Sequence, residues 1–404
     1  MNQPANKRKR AMHLKTFGTA LASIVLTGSF AFAQPPQTAE PILLQGFENG
    51  TGEWRSIGGQ AKVGVADDPE NVKTGQRALR FDYTVQAGQF EALINPLATA
   101  TFASLKSIKF WIKTSHSTTF LLALQEQGGG RFATVFSIAK DTWQNVEIDP
   151  AELILQDGAD DPKDANGQLD LEKTEFIGLI DFDQVLIQMV GGAPNPIAQM
   201  IHIPFGPRTL YLDEVTFSSR PLPESKATPD AYDIDLFQRP QAQWASIGGA
   251  TLERMEAKDA KDNALRVTYP QAPGHITALL KPLRPGALAG KKQLSFQVAS
   301  MKPTTLLLQL EETGGGKYNA PIEVPGNATP KTITLNFSDF KTSPDSNDNN
   351  DRLDLDQVKQ LLIVDATSLM GGMPEGAPGG IPLDLPEGQP GSENTLWLNA
   401  LRAK

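Results

Sequence analysis

The chain has 404 residues, 40% hydrophobic and 21% charged side chains, a formal net charge of −9 and no cysteine. Without thiols it has no disulfide, thiolate metal centre, cysteine nucleophile or lipid-modified cysteine, and the acidic balance repels nucleic acid and anionic lipid. Gly 35 and Pro 30, with few long amphipathic helical patterns, favour strands and loops.

At the start, Lys7, Arg8, Lys9, Arg10 and Lys15 surround the entry to an apolar run from Phe17 to Phe30, and Ala31, Phe32 and Ala33 precede Gln34. This is the layout of a secretory signal over residues 1–33, cleaved after Ala33. Gly18, Thr19, Thr27, Gly28 and Ser29 interrupt the run, which falls short of the roughly 20 apolar residues of a membrane span. A secreted or periplasmic protein with no stable membrane insertion is expected. Cleavage leaves 32 basic against 46 acidic side chains, a formal charge of −14.

Beyond residue 40 the chain repeats itself. Trp54, Ile57, Gly58 and Gly59 recur as Trp244, Ile247, Gly248 and Gly249, an offset of 190. Leu79, Arg80 and Tyr83 recur as Leu265, Arg266 and Tyr269, and Gly128, Gly129 and Gly130 as Gly314, Gly315 and Gly316, both at 186. Leu169, Asp170 and Leu171 recur at 184, and Thr209, Leu210 and Leu212 at 186. Five ordered anchors imply a duplicated unit, with domains at 40–219 and 231–404 joined by a proline-rich linker at 220–230.

The anchors read as strands. Leu79, Phe81 and Tyr83 alternate with Arg80 and Asp82, and Ile108, Phe110 and Ile112 alternate with Lys109, Trp111 and Lys113, so each set lies on one face of a sheet. Residues 120–124 are apolar throughout, as in a central strand covered on both faces, and the three glycines turn it into a hairpin. The pattern predicts an all-β protein of two tandem antiparallel β-sandwiches.

Several elements together resemble the galactose-binding-like jelly roll of carbohydrate-binding modules, those of family 11 and the related complex I intermediate-associated protein 30 domain. They are Gly46, Phe47 and Glu48 at the opening, residues 78–80, 108–113, 143–148 and 169–171, and the closing Leu210, Tyr211, Leu212, Asp213 and Glu214. The second copy departs from this pattern at Gln297, which stands for Trp111, and at Asn399 and Ala400. The resemblance implies a sandwich whose outer concave face binds oligo- or polysaccharide. It also implies a structural calcium shared by an acid on the first strand and an aspartate on the last, here Glu48 and Asp213. These become Gln238 and Asn399 in the second copy, so two charges vanish together, as expected if they share one cation; exchange of two unrelated surface acids is the alternative.

Sugar recognition combines an aromatic ring with planar polar groups. The candidates are Arg80, Asp82, Trp111, Gln125 and Arg131 in the first copy and Arg266, Lys317 and Tyr318 in the second. Ordinary surface pairing is the competing account of each. Trp54, Trp143 and Trp244 are expected in the core. The acidic loops at 157–170 and 345–356 fail as EF-hands, because alignment on Asn166 and Gly167 puts Pro162 first and Lys173 twelfth. His116, His202 and His275 are isolated in sequence, and no nucleophile or acid–base constellation stands out. A non-catalytic carbohydrate-binding protein is expected, with an envelope structural or protein-interaction component as the alternative and a secreted hydrolase third. The long loops at 189–207 and 369–390 suggest contact surfaces, between the copies or with a protein partner.

Overall fold

The computed structural model describes residues 43–98, 102–156, 161–190, 200–223, 230–256, 263–272, 274–367 and 392–404. The expected signal segment and the loop at 369–390 lie outside these residues, as do positions 191–199 and most of the linker. Among the described residues no helix is long and apolar enough to cross a membrane.

The first copy forms β1 (Leu43–Gln45), β2 (Arg55–Ile57), β3 (Lys62–Ala66), β4 (Ala78–Val85), β5 (Ala92–Pro96), β6 (Ser107–Thr114), β7 (Thr118–Glu126), β8 (Arg131–Ile138), β9 (Gln144–Ile148), β10 (Ile154–Leu155), β11 (Thr174–Asp181), α1 (Phe182–Val190) and β12 (Gly206–Ser218). The second forms β13 (Tyr232–Asp235), β14 (Ala245–Ile247), β15 (Thr251–Met255), β16 (Ala264–Gln271), β17 (Ala278–Pro282), β18 (Gln293–Ser300), β19 (Thr304–Glu312), β20 (Lys317–Val324), β21 (Lys331–Asn336), β22 (Lys341–Thr342), β23 (Val358–Asp365) and β24 (Ser392–Ala403). Strand answers strand from one copy to the other.

Sheet I runs β3-β4-β12-β6-β9 with β1 beside β12, and sheet II runs β10-β8-β7-β11-β5-β2. Sheets III (β15-β16-β24-β18-β21, with β13 beside β24) and IV (β14-β17-β23-β19-β20-β22) repeat this order. Every pairing within the sheets is antiparallel, and the chain crosses repeatedly between the two sheets of a sandwich, as a jelly roll does. The alternation works as period 2 requires: Leu79, Phe81, Phe110 and Ile112 fill the first core between sheets I and II, and Leu265, Val267, Phe296 and Val298 fill the second.

Small details duplicate too. Phe47 (φ 61°) and Phe237 (φ 53°) both occupy the left-handed region, as do Glu214 (φ 48°) and Ala400 (φ 51°) at the bulges of the last strands. Gly58 (φ +119°) and Gly248 (φ +81°) are required twice over, because a Cβ would meet the Phe90 carbonyl at 2.1 Å and the Ile276 carbonyl at 1.8 Å.

Residues 39–404 form one compact unit. The outward face of sheet II does not meet water across its middle. Val135, from β8, joins Phe182 and Leu186 of α1 with Ala245, Ile247 and Ala278 of the second sandwich in a separate apolar cluster, with Leu121 of β7 packed against it. Polar groups match across the junction: the Ser137 N–H donates to Ala242 O (2.9 Å), its hydroxyl to Trp244 O (2.8 Å), and the Ser246 N–H to Thr119 Oγ1 (2.9 Å). The described end of the loop at 189–207 takes part. The Ile276 N–H donates to Met200 O (2.9 Å), and the rings of His202 and His275 stack with centroids 4.6 Å apart.

Trp54 and Trp244 are core residues, as expected. Trp143 corrects the expectation: it is only half-buried, outside the core cluster, and its indole Nε1 has no partner among the described residues.

Candidate functional site

Arg80, Asp82 and Trp111 lie on the outward side of sheet I, and Arg266 lies at the matching place on sheet III. Arg80 donates from Nε to Asp82 Oδ2 (2.8 Å), and the Thr209 hydroxyl donates to Asp82 Oδ1 (2.7 Å), so the guanidinium is held by a carboxylate that is itself held. Trp111 is not an open platform, because Lys73 Nζ sits 3.9 Å from its ring centroid.

The ring beside Arg80 is instead Tyr211. On β12 it pairs with Arg80 on one side and Lys113 on the other, while its neighbours Leu210 and Leu212 are buried. Its equivalent on β24 is Trp397, paired with Arg266. Arg266 forms an ion pair with Glu253, and Trp397, Arg266, Thr268, Thr395 and Glu393 line an open groove of about 550 Å³. Each copy therefore presents a half-buried aromatic ring with an arginine across the strand and a hydroxyl or carboxylate beside it. Tyr211 and Trp397 are not among the residues expected from the sequence, which on these sheets lie on β4, β6 and β16. The signal was present in the sequence, since period 2 over 209–213 puts Tyr211 opposite Leu210 and Leu212.

Gln125, Arg131, Lys317 and Tyr318 lie on other sheets, at the glycine turns of II and IV, so the eight candidates do not converge. The Gln125 amide is buried and donates to Gly129 O (3.0 Å), while Arg131 Nε donates to its carbonyl (3.2 Å). Tyr318 is 2% exposed and donates its hydroxyl to Asp348. Arg131 pairs with Asp161 (3.3 Å) and Lys317 with Asp345 (2.7 Å). Arg131, Lys317 and Tyr318 anchor the acidic loops, and Gln125 braces the glycine turn. The loops are also pinned from below, by Glu126 Oε1 accepting from the Asp170 N–H and Glu312 Oε1 from the Asp354 N–H, each at 2.5 Å. Burial is the largest influence raising both glutamates.

Glu48 and Asp213 converge on one loop. Asp213 is fully buried, and its Oδ2 accepts from the N–H groups of Lys73 (3.0 Å) and Thr74 (2.9 Å); Glu48 Oε1 accepts from Gln76 (2.8 Å). A Cβ on Gly75 would meet Glu48 Oε1 at 1.9 Å. Burial, more than any other influence, raises Asp213, and the N–H groups pull it back. Two carboxylates suit a hard cation, but among the described residues no group of three or more His, Cys, Asp or Glu stands ready for a metal, so further ligands would be backbone carbonyls, side-chain amide or hydroxyl oxygens, or water. In the second copy Asn399 Oδ1 is buried with no partner among the described residues, and the equivalent loop falls at 257–262, outside them.

No family model and no curated protein matches the sequence. Solved structures give weak likenesses. The family 11 carbohydrate-binding module of Clostridium thermocellum, in complex with a β-1,3-1,4-mixed-linked tetrasaccharide, is 15% identical over 43% of this chain and 94% of that one, with a TM-score of 0.31. The N-terminal tandem of two family 22 modules from Paenibacillus barcinonensis is 12% identical over 90% of this chain and 98% of its own, with a TM-score of 0.28. A family 61 module in complex with β-1,4-galactotriose is 16% identical over 44% of this chain and 98% of that one, with a TM-score of 0.26.

Proposed function

We propose that this is an exported, non-catalytic carbohydrate-binding protein that uses the outward faces of sheets I and III. The observation that carries the reading is the repeated pair of ring and guanidinium, Tyr211 with Arg80 and Trp397 with Arg266, on equivalent faces of two copies. An aromatic ring stacks on the apolar C–H face of a sugar, and a braced planar guanidinium or carboxylate bonds adjacent hydroxyls. Retention on a panel of insoluble and soluble polysaccharides tests it. Tyr211→Ala with Trp397→Ala is expected to lower affinity at least about tenfold, the loss of some 1.4 kcal/mol of stacking. If no glycan is retained, with or without calcium, the reading fails.

Calcium at Glu48 and Asp213 is proposed for the first copy alone. A cation that binds only the folded state raises the melting temperature, so excess calcium is expected to raise it by several degrees over EDTA. The Glu48→Gln/Asp213→Asn pair, which installs the second copy's residues, should show no such rise. An unchanged melting curve in the parent protein overturns the proposal.

A protein-interaction role in the cell envelope is the second reading. It is favoured by exposed Met189 (73%) and Phe205 (62%), which stand either side of residues 191–199.

A further inference from the structure

A cleft of about 650 Å³ opens between the sandwiches, floored by β13 and the segment after β17 and walled by the first copy at Glu147 and Glu152. Its size falls within the roughly 300–1,000 Å³ of small-ligand sites.

The duplicated unit supplies an internal control. At the matching positions of the first copy stand Leu44, Gln45, Asn95 and Ala98; in the second copy they are Asp233, Asp235, Lys281 and Arg284. The shared part of the framework is unchanged. Trp54 Nε1 donates to Gln45 Oε1 (2.8 Å) just as Trp244 Nε1 donates to Asp235 Oδ2 (2.9 Å). The amide pair Asn95–Gln45 (3.1 Å) has become the ion pair Lys281–Asp235 (3.2 Å). Supporting the tryptophan did not require that charge, so the change is specific to the copy that faces the cleft.

The acids there are already matched. Glu152 accepts from Arg239 (2.7 Å) and Gln243 (2.7 Å), Asp233 from Arg402 (2.7 Å), and Glu147 from Lys109 (2.9 Å). Among the described residues the Arg284 guanidinium makes no hydrogen bond or ion pair; the residue is exposed and lines the same cleft as Tyr232. Tyr232 packs its ring on the second core.

We propose that this cleft is a second binding site, for a neutral, hydroxyl-rich ligand, a short oligosaccharide. Apart from Arg284, the charged groups are fixed and mutually neutralised, so they offer donors and acceptors at set positions, and the one unpaired guanidinium is a planar fork of donors for hydroxyl oxygens. Tyr232 supplies the ring and Arg284 the free fork. The inference rests on the sugar-binding reading for its ligand class, but not for its place.

Isothermal titration calorimetry on the full mature chain tests it with cellotriose, xylotriose, laminaritriose, galactotriose and, as an acidic comparator, trigalacturonic acid. At least one neutral trimer is expected to bind, with affinity falling tenfold or more in Arg284→Ala and in Tyr232→Ala while the melting temperature of the exposed Arg284→Ala variant stays unchanged. This binding should persist in Tyr211→Ala/Trp397→Ala. Neutral-trimer binding that both cleft variants leave intact overturns the cleft and spares the sheet faces. Binding lost in the cleft variants but not in the face variants is the expected result, and it leaves the faces to be judged by polysaccharide retention in Tyr211→Ala/Trp397→Ala. Binding of the acidic trimer alone overturns the ligand class, and no binding by any trimer overturns the cleft.

Discussion

Replacing Arg208 with methionine is expected to destabilise the protein by about 3–5 kcal/mol, the usual cost of removing one member of a buried charge network. Its guanidinium is 3% exposed and donates to Asp181 (2.7 Å), Asp183 (2.7 Å), Thr118 (3.1 Å) and the Pro204 carbonyl (2.6 Å). Asp181 also accepts the Tyr83 hydroxyl at 2.6 Å. Without Arg208, two carboxylates face each other in a dry site. Denaturant unfolding measures the loss, which corresponds to a fall in melting temperature of roughly 10 °C or more. The second copy solves the same problem without the cation. At the places of Val85, Arg208 and Asp183 it carries Gln271, Asn394 and Thr367; Gln271 donates to Asp365 (3.0 Å) and the Asn394 amide to Tyr269 (3.1 Å) and Thr304 (2.9 Å). The triple variant Val85→Gln/Asp183→Thr/Arg208→Asn should therefore recover most of the lost stability. A methionine variant as stable as the parent would remove the network from any account of this fold.

The same network sets a pH dependence. Asp183 is pushed up to about 6, first by burial and then by Asp181, against the pull of Arg208. A carboxyl raised in the native state binds its proton more tightly folded than unfolded. Its contribution is thus fully present below about pH 4 and is lost as pH rises through 6. Measured against Asp183→Asn, which cannot titrate, the parent should lose up to about 3 kcal/mol of relative stability between pH 4 and pH 7. A pH-independent difference between the two proteins would contradict this assignment.

Strand periodicity made much of this fold legible. The alternation at 79–83 and 108–112 names the residues that fill the first core, and the apolar run at 120–124 marks a strand covered on both faces, as β7 is. Sequence periodicity does not say what covers the second face. That cover is α1 and the neighbouring sandwich, contacts between segments far apart in the sequence. The site was legible by face and less so by residue. Arg80 and Arg266 could be placed outward from their own strands, whereas seating Lys73 over Trp111 depends on where the loop at 73–77 folds back. Gln125 and Tyr318 look like ligand groups in one dimension because their partners, the turn carbonyls and Asp348, meet them only in three.

Changing Ala245 to arginine should separate the two sandwiches without unfolding either. Ala245 is fully buried in the apolar cluster between them, where a guanidinium has no room and no partner. Yet arginine is what the duplicated unit itself carries there: Arg55, at the same register of β2, is exposed. The strand accepts that side chain, so the penalty falls on docking rather than on folding. The neighbouring isoleucines show how far the junction changes one environment, since Ile57 is 41% exposed and its equivalent Ile247 only 9%. In the parent, docking links the two cores, and calorimetry should find one coupled transition; in Ala245→Arg two transitions are expected, together with a larger radius of gyration by small-angle scattering. A single transition at unchanged radius would mean that the interface yields around the new side chain. The cleft ties this result to function, because its walls come from opposite sandwiches: ligand binding there should fall with undocking, while binding on the outward faces of sheets I and III, each built within one sandwich, should persist.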